Sequence, residues 1–345
     1  MNAPARRDNC LTLVRYLAAA DVLYGHFTRH LALSAPAAVD VLFRWLAGVP
    51  VFFFLSGFLV WRSTAAETAG TFARKRFLRL YPALWGAVAA EMISILILYK
   101  EKIRWGGFLL FGAAQGSVLQ FWTPSFLRGY GCGTPNGALW TIGIFVQFYI
   151  LVWWIAKVLR GKSVKVWGAV LTASVLIGLA SPLFKRLLPT IVYKLYGQTV
   201  LPYLWIFLFG CFLSEYFDKV TAVVKRFWYL PAAASLIWCF AVPWDITAGS
   251  YPLVGTVLIC LAALGFAYAF PKLEPKFDLS YEIYLYHMIV VNGMIALGLS
   301  GGIRFGWLAL AVTVLFAVLS YLTVGRLTRK KREKYDRATD LHFEK

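Results

Sequence analysis

The sequence predicts an all-α protein: a polytopic transmembrane helical bundle of about ten spans, with a re-entrant or interfacial segment at about 105–122. Three observations predict it. Hydrophobic residues make up 60% of the 345 positions, charged residues only 15%, and the mean hydropathy is +0.67. Apolar runs of about 17–23 residues recur along the chain, long enough to cross a hydrocarbon core of about 30 Å. Basic residues gather in alternate connections between these runs. In lipid each spanning segment must satisfy its own backbone, and spans of this length leave only helices.

Spans are expected at 11–33, 42–61, 81–99, 138–156, 166–181, 200–216, 228–243, 252–270, 279–298 and 305–324. The connections 1–8, 62–79, 157–165, 217–227, 271–277 and 325–345 then hold 24 of the 35 Lys and Arg, and the opposite connections hold 10. This asymmetry puts both termini on the cytoplasmic side. The net charge of +19 is therefore a topology signal and an affinity for anionic membrane lipids, not the footprint of a nucleic-acid partner. Residues 1–325 read as one integral membrane domain and 326–345 as a basic cytoplasmic tail. The first run is of full span length and lacks a small-residue cleavage site, so no cleavable signal peptide is expected.

The segment 105–122 is apolar but rich in Gly and Gln, and counting it as a span would reverse every later loop. It is expected on the outer side, followed by the Gly/Pro-rich turn TPSFLRGYGCGTPNG. Cys10, Cys132, Cys211, Cys239 and Cys260 show neither CxxC nor metal-type spacing, so neither a disulfide framework nor a metal site is expected.

The first span carries charges that a membrane helix normally excludes. Arg15, Asp21 and His26 interrupt LTLVRYLAAADVLYGHFTRHLAL, and ionisable groups at bilayer depth normally face a protein interior and have a function. Arg15 and His26 are eleven positions apart, which is three helical turns plus about 20°, so both share a face about 16 Å apart along the axis. They are the candidate catalytic pair, with His26 as general base or acyl relay. A packing histidine and a snorkelling arginine are the plain alternative. Asp21 lies about 140° round the helix from His26, so it is a candidate for the cavity or for pairing with another helix.

Four further stretches carry chemistry. Ser56 and Gly57 in GVPVFFFLSGFLVW allow close helix approach, with Ser56 a candidate cavity residue. Arg74, Lys75, Arg76 and Arg79 in ARKRFLRLYP form a cationic cluster at the cytoplasmic start of the third span. They serve either as a positive-inside anchor or as a clamp for a phosphorylated donor. Gln147 and Tyr149 in NGALWTIGIFVQFYIL can hydrogen-bond a substrate or a neighbouring helix. In LSYEIYLYHMIVV, Tyr281 and His287 are candidates for the acceptor side of a cavity, with Glu282 between them.

These motifs, in this order, resemble the acyltransferase 3 family of integral membrane acyltransferases, which includes bacterial polysaccharide O-acetylases. Arg15 and His26 fit its arginine–ten residues–histidine signature, and FFFLSGFL fits its FF-x-x-SGFL segment. Arg76, Arg79 and Pro82 fit R-x-x-R-x-x-P. Asn136–Trp140 with Gln147–Tyr149 fit NG-x-LW…QFY, and Ser280 to His287 fit SY-x-x-YL-x-H. The resemblance implies acyl-CoA, usually acetyl-CoA, as donor on the cytoplasmic side near the arginines, with no bound cofactor. It implies a hydroxyl acceptor on an envelope, exported or lipid-linked glycan, and a place in the bacterial inner membrane. The chain departs from the family where Pro50, Phe145 and Val146 stand at positions that usually carry acidic residues. Two other readings stay open: a glycan transporter or flippase, and a diverged member acting as a binding subunit.

Overall fold

A computed structural model of the chain describes residues 8–242 and 251–328; most of the expected N-terminal segment and basic tail lies outside the described residues. Among the described residues the chain is all helix and turn, with no strand. The helices are α1 (Leu11–His30), α2 (Ala37–Leu46), α3 (Gly48–Ala66), α4 (Ala69–Tyr99), α5 (Trp105–Gln115), α6 (Trp140–Leu159), α7 (Val164–Leu179) and α8 (Ser181–Leu187). They continue with α9 (Thr190–Tyr196), α10 (Leu204–Glu215), α11 (Phe217–Arg226), α12 (Tyr229–Ala241), α13 (Leu253–Ala269), α14 (Ser280–Ala296) and α15 (Ile303–Ser320).

Five helical runs are long and apolar enough to cross a membrane by length and composition: Ala37–Ala66, Ala69–Lys102, Gly137–Leu159, Val164–Leu187 and Ile303–Thr328. The shorter apolar helices α10, α12 and α13 fall at three more of the expected spans. Ile97, Ile237, Phe240 and Trp307 are among the large apolar side chains on exposed surfaces, as a lipid-facing exterior requires. The segment expected at 105–122 holds α5, whose 11 residues rise only about 16 Å, well short of the hydrocarbon thickness.

Several boundaries differ from the sequence expectation, and two of the differences have clear local reasons. The run expected at 42–61 is two helices broken at Ala47, whose φ of 45° places it in the left-handed region and closes α2. The helix that carries the span expected at 81–99 begins at Ala69, where the Thr68 hydroxyl accepts from Thr71 N at 3.3 Å and caps the first turn. The cationic cluster is therefore helical, and Pro82 lies inside the 31-residue α4.

Packing divides the chain into two units interleaved along the sequence. The first comprises Met1–Val22, Pro36–Arg62 and Trp154–Ser280. Its centre is a backbone-to-backbone crossing of α3 and α10. A Cβ on Gly57 would stand 2.0 Å from Phe207 O, and one on Gly210 would stand 2.1 Å from Phe54 O. Only glycine permits this approach from both sides. Nearby, Glu215 accepts from Trp61 Nε1 and from Gly161 N, both at 2.7 Å.

The second unit comprises Leu23–Ala35, Ser63–Trp153 and Tyr281–Lys345. One of its cores joins Leu84, Ala87 and Val88 of α4 with Leu139, Ile142, Leu285 and Ile289. Another joins Ile95 with Phe108 and Phe111 of α5 and with Leu127 and Tyr130 of the following loop.

Candidate active site

In the second unit the end of α1 meets the middle of α14. His26 Nδ1 and His287 Nε2 are 2.9 Å apart, with ring centroids at 4.9 Å and planes tilted by 35°. His287 is fully buried and His26 half-buried. His30, one turn beyond His26, stacks on it at 5.9 Å.

The hydrogen-bond partners fix which nitrogen carries each proton in the neutral pair. His287 Nδ1 lies 2.7 Å from the Tyr284 carbonyl oxygen, which only accepts, so Nδ1 carries the hydrogen. His287 Nε2 is then the lone-pair nitrogen and accepts from His26 Nδ1–H. This in turn places the lone pair of His26 on Nε2. A carbonyl thus orients one imidazole, which orients a second, so that the second presents a basic nitrogen. It is the arrangement by which a buried acceptor holds a general base in one tautomer.

Several contacts immobilise the α14 side of this pair. Tyr284 donates its hydroxyl hydrogen to Ala138 O at 2.7 Å and pairs with Thr141 Oγ1 at 2.8 Å. Asn136 Nδ2 donates to Leu285 O at 3.0 Å. Asn292 Oδ1 accepts from Cys132 N at 2.7 Å, while its Nδ2 donates to Pro135 O at 2.7 Å and Thr134 O at 3.2 Å. At Gly131 (φ +54°) a Cβ would sit 2.0 Å from Asn292 Oδ1, so the loop reaches this asparagine only as glycine.

The cationic cluster also lies in the second unit. Lys75 is buried and paired with Glu67 at 3.0 Å. Arg76 donates to Ser63 Oγ at 2.8 Å, with its guanidinium over the rings of Phe72 at 5.2 Å and Tyr149 at 5.8 Å. Arg74 is exposed and Arg79 half-buried. The Tyr281 hydroxyl donates to Leu80 O at 3.0 Å and has Arg79, Tyr149 and Glu282 as electrostatic neighbours. Arg76, Arg79, Tyr149 and Tyr281 therefore gather around the N-terminal half of α4. Gln147 donates back to Gly143 O of its own helix at 3.3 Å.

The remaining sequence candidates lie in the first unit. Arg15 donates to Asp278 Oδ2 at 2.8 Å and to Thr12 Oγ1 at 3.0 Å. Asp21 Oδ2 accepts from Gly48 N at 2.6 Å, which caps α3 at the Ala47 break. Ser56 adjoins the Gly57 crossing with its hydroxyl buried and without a hydrogen-bond partner. Among the described residues no group of three His, Cys, Asp or Glu is placed to hold a metal ion.

The direct bond between His26 and His287 was not legible in sequence, since the two are 261 positions apart and nothing local announces it. Tyr284 carried a weak signal, because it precedes His287 by three residues and so shares its helix face.

The family model for an acyltransferase domain, acyltransferase 3, matches residues 8–325. The chain belongs to this family. As an acyltransferase 3 protein it has relatives of nearly equal length. It is 29% identical over 349 residues to Nodulation protein 10 of Rhizobium leguminosarum bv. viciae, covering 94% of each chain. It is 28% identical over 345 residues to an O-acetyl transferase of Shigella phage Sf6, covering 92% of this chain and 94% of that one. A shorter likeness, 28% over 139 residues, links 36% of this chain to 22% of the peptidoglycan O-acetyltransferase OatA of Listeria monocytogenes serovar 1/2a. No solved structure matches. Family membership and the apolar helices together make this acyltransferase a multi-pass membrane protein.

Proposed function

We propose that this acyltransferase carries an acyl group, acetyl in the first instance, from acyl-CoA on the cytoplasmic side to a hydroxyl of an envelope or exported glycan. The single observation that carries the reading is the oriented histidine pair, in which His287 and the Tyr284 carbonyl hold His26 with its Nε2 basic. Relatives named O-acetyl transferase and peptidoglycan O-acetyltransferase support the acetyl group and the glycan acceptor.

In this mechanism the acceptor hydroxyl donates to His26 Nε2. As its oxygen attacks the thioester carbonyl, the proton passes to Nε2, and the resulting imidazolium is steadied by Nδ1–H···Nε2 of His287. Collapse of the tetrahedral intermediate forms the ester and breaks the C–S bond, and the CoA thiolate leaves as the thiol with the proton from His26. General-base assistance of this kind is worth about 10²–10⁴ in rate. Arg74, Arg76 and Arg79 take the CoA phosphates, since guanidinium forks match phosphate oxygens, while Glu67 already neutralises Lys75. Gln147, Tyr149 and Tyr281 of the second unit remain candidates for the acceptor cavity. The topology that goes with this reading is ten spans in the bacterial inner membrane with both termini cytoplasmic.

Purified protein in liposomes, given acetyl-CoA and glycan, tests the reading by thiol release and ester formation. His26→Ala is expected to lose at least about 100-fold in turnover while inserting normally. Arg76→Ala with Arg79→Ala is expected to raise the KM for acetyl-CoA. Full ester formation by the His26→Ala protein would sink the assignment. Movement of intact glycan with no acyl donor would favour the transporter, and donor binding without transfer would favour the diverged binding subunit.

A further inference from the structure

The segment between α13 and α14 is bonded along its length to the first turns of α1, entirely within the first unit. Glu274 accepts from Thr12 N at 3.0 Å and from Thr12 Oγ1 at 2.5 Å, so its carboxylate caps the N-terminus of α1. Asp278 Oδ1 accepts from Ser280 Oγ at 2.6 Å and Ser280 N at 3.3 Å, and so caps the N-terminus of α14. Between the two caps stands Arg15, whose NH2 donates to Thr12 Oγ1 at 3.0 Å and to Asp278 Oδ2 at 2.8 Å. Tyr16 adds a second tie, donating to Phe277 O at 3.2 Å and accepting from Leu279 N at 2.8 Å. Thr12 is fully buried, and the Arg15 and Asp278 side chains are 15% and 31% exposed.

The two helices whose N-termini are locked together are the two that carry the histidines. His26 lies on α1 and His287 lies two turns along α14 from Ser280. We propose that Arg15 is a positioning residue, which joins the α1 and α14 caps through Thr12 and Asp278 and so sets the register of the helices that bear His26 and His287. It acts through Asp278 and makes no contact with donor or acceptor. A hydrogen-bonded histidine pair tolerates little axial slip, since a misplacement of about 1 Å at a reacting group costs on the order of 100-fold. Loss of the lock should therefore lower kcat and leave acyl-CoA affinity unchanged. This inference rests on the histidine pair as the reacting site proposed above.

The test uses the full chain in liposomes and determines kcat and the KM for acetyl-CoA for Arg15→Gln, Asp278→Asn, and the double variant Arg15→Gln with Asp278→Asn. Each single variant is expected to lose about tenfold or more in kcat with KM within about twofold, and the double variant to lose little more than the worse single one, since both changes break the same lock. Where a single variant fails to insert, Arg15→Lys and Asp278→Glu, which keep the charges and change the reach, are read by the same two constants. A tenfold rise in KM for Arg15→Gln, or full kcat in Asp278→Asn, or losses that multiply in the double variant, overturns the proposal. A wild-type protein that transfers no acyl group fails the parent reading instead, so the two failures are distinguishable.

Discussion

At His287 the choice of replacement separates the two ring nitrogens. A glutamine amide oxygen reaches the position of Nε2 and can still accept from His26 Nδ1–H, whereas asparagine is too short and keeps only the donor toward Tyr284 O. His287→Gln should therefore retain clearly more acyl transfer than His287→Asn, measured as initial rates at saturating donor and acceptor. Equal loss in both would show that His287 only fills space. At position 26 neither amide is a base, so His26→Gln and His26→Asn should be equally inactive. How much of this was legible differs residue by residue. The anomaly of Arg15 and His26 in one apolar run is visible in sequence because a charge in a span is costly wherever its partner lies. Their partners, Asp278 for Arg15 and His287 for His26, are invisible, because each lies more than 250 positions away and only tertiary packing selects it. Asp21 belongs to the same group: its partner is the amide of Gly48, and no spacing rule names a backbone cap 27 residues on.

Helix existence was readable from apolar run length, and helix ends were readable only where a breaking residue stands. The Ala47 break leaves no mark in the sequence, because alanine is the strongest helix former. There it adopts the left-handed region under the constraint of Asp21 on Gly48 N and of α1 against Gly48, where a Cβ would meet Ala18 O at 2.1 Å. The SGFL motif was legible as a close-approach element, and the crossing of α3 and α10 gives that reading its partner and distance. Gly57→Ala would drive a methyl group into Phe207 O, and neither backbone can yield without moving a buried helix. It should lower stability by about 1–3 kcal/mol, seen as a lower melting temperature in detergent. Gly168→Ala is the matched contrast: this glycine lies inside α7 with nothing within 4 Å of its virtual Cβ, so the change should be neutral or stabilising by up to about 1 kcal/mol. A similar fall in both would mean that the α3–α10 crossing is not the tight contact described.

Orientation across the membrane is a property of the whole chain, and its cysteines report on it without any added probe site. Cys211, Cys239 and Cys260 are buried, and Cys132 is half-buried in the loop that the charge asymmetry assigns to the outer side. Cys10 stands just before α1, at the terminus that the charge asymmetry assigns to the cytoplasmic side. Its thiol is pushed up to about 11 by burial and by the negative charge of Glu274, so at pH 7.5 it is held almost wholly as the unreactive thiol. A raised thiol pKa suppresses the nucleophile at every pH below it, and Cys10 is also fully buried, so it should stay unlabelled at pH 7.5. A membrane-impermeant maleimide applied to intact cells at pH 7.5 should therefore label Cys132 alone, and Cys132→Ser should abolish the signal. Labelling of Cys132 that requires opening the membrane would reverse the sidedness. The loop tied to Asn292 would then lie on the cytoplasmic face, and the arginine cluster would be denied access to cytoplasmic acyl-CoA. Under the proposed function Arg76 and Arg79 meet cytoplasmic acyl-CoA only in the orientation that exposes Cys132 outside, so a single labelling experiment bears on both.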